Sequence, residues 1–150
     1  MRNPSRLALT VTLSYTLACG GGAVDEDAGY HFGSELCVQK DGVNCGAPAT
    51  TFAPDSPVLY LVHRTKDMPK LHQIYNIDWV AVDAGEAVPA GTVLANVQVP
   101  VEDEGSLAAS TNWTVESELT PPGGVWPPGS FKVVVTLDGA PVSDVPFTIR

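Results

Sequence analysis

The chain has 150 residues, with 17 Asp and Glu against 8 Lys and Arg and a formal net charge of −9. That length suits one domain with appended segments. A chain this acidic repels phosphate backbones and anionic headgroups, which argues against nucleic acid as a partner.

Residues 1–18 read as an export signal. Arg2 and Arg6 make a positive start, and Leu7 to Ala18 follow as twelve residues without a charge. A bilayer-spanning helix needs about 20 apolar residues, so this run is too short to cross. Its length and flanks suit the apolar region of a secretory signal. It ends in Thr16-Leu17-Ala18-Cys19, followed by Gly20-Gly21-Gly22. This resembles the lipobox of bacterial lipoproteins, normally Leu, a small residue, Gly or Ala, then Cys. Here Thr16 stands at the Leu position, with Leu17 one place late. The resemblance implies cleavage before Cys19, a diacylglycerol thioether on its sulfur and acylation of the new N-terminus. Several acyl chains hold a protein on a membrane far more firmly than one. Gly20, rather than Asp, after the cysteine implies the outer membrane. The alternative is an ordinary cleaved signal that leaves Cys19 as a bystander thiol.

Cysteine parity bears on the same question. The sequence has three cysteines, and an odd thiol is a liability in an oxidising compartment. If Cys19 carries lipid, Cys37 and Cys45 remain, separated by the turn-rich Val38 to Asn44. A disulfide between them is expected. The rival is a metal pair completed by His31, which lacks a fourth ligand and sits poorly with export.

Residues 19–56 read as the lipidated cysteine and a flexible acidic tether. Gly20 to Gly29 has no apolar period and contains Asp25-Glu26-Asp27. Such a segment buries too little surface to offset the cost of ordering. The three acids lack the convergent oxygens of a calcium site, so a solvated charge run is expected. Tyr30 to Cys45 suggests a small stapled loop. Gly46 to Pro57, with Pro48, Pro54 and Pro57, suggests an irregular second linker.

From residue 57 to 150 the pattern turns strand-like, with no apolar stripe of helical period, so the domain is expected to be all-β. Val58 to Val62 is apolar on both faces, as in a strand covered above and below. Tyr75, Ile77, Trp79 and Ala81 share one face, opposite Asn76 and Asp78. Val93, Ala95, Val97, Val99 and Val101 do the same opposite Asn96 and Gln98. Trp113 and Val115 oppose Thr114, Glu116 and Glu118. Phe131, Val133, Val135 and Leu137 form another face, and Val145, Phe147 and Ile149 the last. About seven short strands with turns between them suit an Ig-like antiparallel sandwich. These inward side chains are enough for a core without metal or cofactor, at ~1.5–3 kcal/mol for each large one buried.

Asp138-Gly139 invites a two-residue type I′ turn. That register sets Val135 against Val142 and gives the apolar faces opposite parity. A bulge or longer loop between Ala140 and Asp144 is therefore expected, with Val135 meeting Val145 and Val133 meeting Phe147. The run Trp126-Pro127-Pro128-Gly129-Ser130-Phe131, then alternating valines, Asp138-Gly139 and Phe147-Thr148-Ile149, resembles the closing strands of bacterial Ig-like modules. Phe131 stands where those modules often carry Tyr. The resemblance implies fold, not activity.

No nucleophile elbow, phosphate-binding glycine loop, Cys-x-x-Cys or His-Glu-x-x-His occurs. His63 and His72, with Asp67 between them in sequence, are a weak metal candidate against plain loop histidines. Arg64, Lys66 and Lys70 suggest a local basic patch for an anionic partner, or merely a solubilising loop. Glu116 and Glu118 share a strand face, but glycoside chemistry needs a cleft between its carboxylates. Glu102 to Gly105 reads as a charged turn that blunts strand edges. Trp126, and secondarily Trp113, are candidates to stack on a sugar or anchor a partner; Trp126 also suits a plug at the end of the sandwich. The expected function is therefore that of a non-catalytic, lipid-anchored cell-envelope protein. It would contact other proteins as an accessory subunit of an envelope, adhesion or motility assembly, without cofactor or metal. The alternative is a carbohydrate- or small-ligand-binding module.

Overall fold

Alternation of apolar and polar residues sets the long strands. The computed structural model describes residues 32–102 and 112–150. Its strands are β1 (Gly33–Cys37), β2 (Lys40–Asp41), β3 (Asn44–Cys45), β4 (Thr51–Phe52), β5 (Leu59–Thr65), β6 (Ile74–Asp83), β7 (Val93–Pro100), β8 (Trp113–Leu119), β9 (Gly129–Leu137) and β10 (Ala140–Ile149). One sheet has the order β1-β5-β8, the other β4-β10-β9-β6-β7, and β2-β3 is a separate hairpin. Lettered by position as A, B, E and A′, G, F, C, C′, the two sheets have the layout of an Ig-like sandwich. Their pairings are antiparallel except β4 against β10.

The domain begins earlier than residue 57. Of the stretch expected to be tether, β1 and β4 are integral strands. β1 pairs with β5 from Gly33↔Arg64 to Cys37↔Tyr60, and β4 pairs with the end of β10. Leu36 and Phe52 are buried in the common core. The described residues belong to one compact unit. Each of these strands contributes only one or two apolar side chains, fewer than the alternation needed to read a strand from sequence. Among the described residues the sandwich has eight strands, six of them beyond residue 57. The chain crosses from one sheet to the other between β1 and β4, which is why β4 arrives parallel. Residues 1–31, with Cys19, the acidic run and His31, lie outside the described residues, as do Asp103 to Gly105.

The inner face of the larger sheet carries an aromatic cluster. Phe131 stacks on Phe147 at 5.4 Å, and Trp79 and Phe52 each meet Phe147 edge-on at 6.0 Å. Trp79 also donates its indole N–H to Ser117 Oγ at 3.0 Å, a buried hydrogen bond from one sheet to the other. Tyr75, Ile77 and Ala81 are buried beside it, as the alternation of β6 requires.

Among the described residues the larger sheet has three register shifts, one of them at Val82 where β6 meets β9. On β7, Trp79 pairs with Ala95 but Val80 pairs with Val93, so Leu94 is the extra residue. Val93, expected to face inward, is therefore 52% exposed, while Leu94 packs against the core. In the last hairpin the two-residue turn and the bulge coexist. Asp138 (φ 50°) and Gly139 (φ 80°) are both left-handed, as a type I′ turn demands. The register then shifts between Pro141 and Ser143. The shift restores the apolar match two residues from the expected partners: Val145 lies opposite Val133, and Phe147 opposite Phe131. The Asp138 carboxylate accepts from the Ile74 backbone N–H at 2.9 Å and from Gln73 Nε2 at 3.0 Å, tying the turn to the start of β6.

Gly129 opens β9 where two backbones nearly touch. Its φ is 152°, and a Cβ there would lie 2.4 Å from the Asp83 carbonyl oxygen and 2.5 Å from Ala84 Cα. Neither backbone atom yields cheaply. Gly129→Ala is expected to cost about 2–4 kcal/mol through overpacking and backbone strain, read as a lowered urea midpoint with an unchanged slope.

Candidate functional site

Tyr60, Val62 and Arg64 alternate outward on β5, away from the core. Yet Val62 and Arg64 are only 3% exposed. The β2–β3 hairpin covers this face and is held by three kinds of contact. Cys37 and Cys45 form a disulfide with Cα atoms 5.6 Å apart. Arg64 donates from Nη2 to the Val43 carbonyl at 3.0 Å and to Asn44 Oδ1 at 2.9 Å. Lys40 pairs with Glu116 and lies over the Tyr60 ring, 5.2 Å from its centre. The doubly apolar Val58–Val62 run thus has its explanation: one side faces the core and the other faces the hairpin.

These contacts remove Arg64 from the expected basic patch. Arg64 is buried under the hairpin, Lys66 sits over the Phe32 ring at 4.4 Å, and only Lys70 and Lys66 are exposed. Glu116 serves as the anchor for Lys40 while Glu118, on the same face, is exposed. The disulfide occupies both sulfurs that a metal set with His31 would need.

Trp126 is fully buried. Its indole N–H donates to the Ser56 carbonyl at 2.9 Å, its backbone N–H to the Pro54 carbonyl at 2.9 Å, and its ring meets Phe131 edge-on. It is a plug, and the ring has no face left for a sugar or a partner. The two residues that receive it, Pro54 and Ser56, lie in the stretch expected to be linker. Trp113 is half-buried against the core, and its indole N–H has no partner among the described residues.

His63 and His72 do not meet on neighbouring strands, because β5 and β6 lie in different sheets. Among the described residues no three His, Cys, Asp or Glu side chains gather as a metal set. His63 is buried and points inward. Its Nδ1 hydrogen-bonds Ser34 Oγ at 2.8 Å, joining β1 to β5, and its ring lies 6.1 Å from Tyr75. Its Nε2 has no partner among the described residues. Burial lowers the His63 pKa from its ordinary value near 6.5 and raises that of Tyr75, with the Asp67 carboxylate adding to the second shift.

The exposed edges of the larger sheet carry prolines at telling positions. Val101 donates its N–H to Gln73, toward β6, so Asn96, Gln98 and Pro100 direct their nitrogens outward. Likewise Thr148 donates outward to Thr50, which puts the Pro146 nitrogen on the outer edge of β10. Each proline removes an N–H that a stray strand would otherwise use.

No protein-family model matches the chain, and no curated protein matches it. Among solved structures it is similar to the alkylpurine DNA glycosylase AlkC of Pseudomonas fluorescens, bound to DNA with an abasic-site analogue. That likeness has 10% identity and a TM-score of 0.43, and covers 82% of this chain and 32% of the other. It is also similar to a mutant β-glucosidase of Listeria innocua in complex with laminaribiose. Here identity is 16% and the TM-score 0.46, with 78% of this chain and 16% of the other covered. Likeness at this level bears on neither activity nor ligand. Among the described residues no helix is long and apolar enough to cross a membrane.

Replacing both cysteines, Cys37→Ala with Cys45→Ala, is expected to lower stability by about 2–3 kcal/mol from the ring's loop entropy. Hydrogen exchange should speed up at Val62 and Arg64, under the hairpin, more than in β9. The buried, neutral His63 makes stability sensitive to acid. Its folded pKa lies below the unfolded value, so the unfolded chain takes up the proton first as pH falls below about 6.5. Unfolding free energy should therefore decline from pH 7 toward pH 5, and His63→Leu should flatten that slope whatever its effect at pH 7.

Proposed function

We propose that this is a lipid-anchored envelope protein whose sandwich makes protein–protein contacts and performs no chemistry. The observation that carries the anchor is the pairing of Cys37 with Cys45. It accounts for two of the three cysteines and leaves Cys19, at the end of the apolar run, as the one sulfur for a lipid. The charge balance adds support: once residues 1–18 are removed, 6 Lys and Arg remain against 17 acids. Such a surface stays soluble and stands off anionic headgroups, so the lipid rather than the domain would hold the membrane.

The contact role draws on the described sandwich. Trp126 is enclosed in the core, so a sugar platform has no support from that residue. The outer edge of β7 keeps outward N–H groups at Asn96 and Gln98 between its bulge and Pro100, a short segment able to accept an added strand. The assembly is that of an accessory subunit in an envelope, adhesion or motility structure.

The test is fractionation with intact mass. Protein extracted from bacterial membranes should begin at Cys19, carry acyl mass and gain two hydrogens on reduction. Cys19→Ser should move it to the soluble envelope fraction without altering its unfolding midpoint. A wild-type protein found soluble and without acyl mass would overturn the anchor.

A further inference from the structure

Among the described residues β7 is the last strand on its side of the larger sheet, and its outer edge presents the backbone groups of Asn96 and Gln98. We infer that this edge pairs with the same edge of a second copy of the chain. The two strands run antiparallel about a two-fold axis at Val97 and join two five-stranded sheets into one. This rests on the partner reading above, names the partner, and is independent of the lipid anchor.

Four observations carry it. First, the backbone fixes the complement. Asn96 and Gln98 each direct an N–H and a carbonyl outward, because in an antiparallel strand both groups of one residue point the same way. With Val97 on the axis, Asn96 lies opposite Gln98 of the second copy and exchanges both bonds with it, on either side of the axis. Second, the side chains match like to like. Asn96 and Gln98 are exposed, whereas Val97 and Val99 are only partly covered by the core. Self-pairing sets Val97 against Val97 at the position where cross-strand side chains come closest. Third, charge selects the partner. Residues 19–150 hold 17 acids against 6 Lys and Arg, so two copies repel over most of their surface. Residues 87–101 carry no charged side chain, and Asn96 Nδ2 donates to the Asp78 carboxylate of the adjoining strand. Edge strands are ordinarily protected by charge, as on β8, which touches β7 and carries Glu116 and Glu118. The bulge at Leu94 and Pro100 bound the β7 edge but leave its middle uncharged. Fourth, the pairing closes. The opposite edge of the sheet is β4, two residues long, beside a β10 blunted by Pro146, so a pair has no equivalent edge left for a third copy.

The test uses the full-length Cys19→Ser chain, labelled with nitrogen-15, so that no detergent is needed. Sedimentation from roughly 10 μM to 1 mM, the range suited to a small interface, should show the mass rising toward that of two chains. Over the same range the Asn96 and Gln98 amides should exchange about 10-fold more slowly, as expected when nine-tenths of the chains are paired, while those of β9 stay unchanged. Gln98→Pro removes an N–H that makes no bond within the sheet. It should weaken pairing at least about 10-fold and leave the amide signals of β6 and β9 in place. If that variant does not fold, Gln98→Glu keeps the size and the backbone. It should weaken pairing roughly 3-fold at low salt, and added salt should restore it. A chain that stays monomeric at the highest concentration would overturn the inference, as would unchanged pairing by both variants. Asn96 and Gln98 amides already protected in the monomer would do the same, because the chain would then cover its own edge. A monomer that cross-links through β7 to a different envelope protein would overturn the self-pairing and leave the partner reading standing. A monomer without any cross-linked envelope partner would remove both.

Discussion

Phe147 is the centre of the aromatic cluster on the inner face of the larger sheet. It is the ring on which Phe131 stacks and against which Phe52 and Trp79 set their edges, so a single side chain of the last strand gathers β4, β6 and β9. Trp79 then reaches the opposite sheet through Ser117. That hydrogen bond fixes which way the largest core side chain lies, because a buried indole N–H left unpaired is costly. The bulge at Val142 follows from the same demand. Without it the type I′ turn would carry Phe147 to the solvent face and the aromatic cluster would lose its centre.

The long strands were legible because they alternate over enough residues to define a face. β6 and β9 lie as their pattern requires, and the need for a bulge in the last hairpin came from parity alone. The plug role of Trp126 was also accessible from the Trp-Pro-x-Gly run. β1 and β4 were not legible. Each offers a single core side chain amid Gly, Ser and Pro, and its strand character comes from the neighbour it pairs with. Arg64 misled for a related reason. A cation in a charged stretch reads as surface, and only the hairpin's carbonyl and amide oxygens reveal that it is a buried clasp. The clue was present in Val58 to Val62, whose second apolar face required a cover. Val93 failed because a bulge of one residue has no signature in an unbroken run of valines and alanine.

The two ends and two edges of the sandwich are treated differently. The edges of the larger sheet are blunted by Pro100 and Pro146, each placed where its missing N–H would otherwise face outward. One outer face of the smaller sheet is roofed by the hairpin. The end beside Trp126 keeps apolar surface open.

The five-residue pairing of β1 with β5 has a mechanical consequence. β1 is the first described strand, and it runs antiparallel to β5 from Gly33↔Arg64 to Cys37↔Tyr60. A pull applied at Gly33 along the strand axis loads the hydrogen bonds of that ladder together, in shear, instead of peeling them one by one. The Ser34–His63 hydrogen bond lies at the loaded end, and the Cys37–Cys45 disulfide at the far end ties the strand to the hairpin that Arg64 clasps. Force arriving through residue 33 is thus shared between the edge of the smaller sheet and its covalently closed cover.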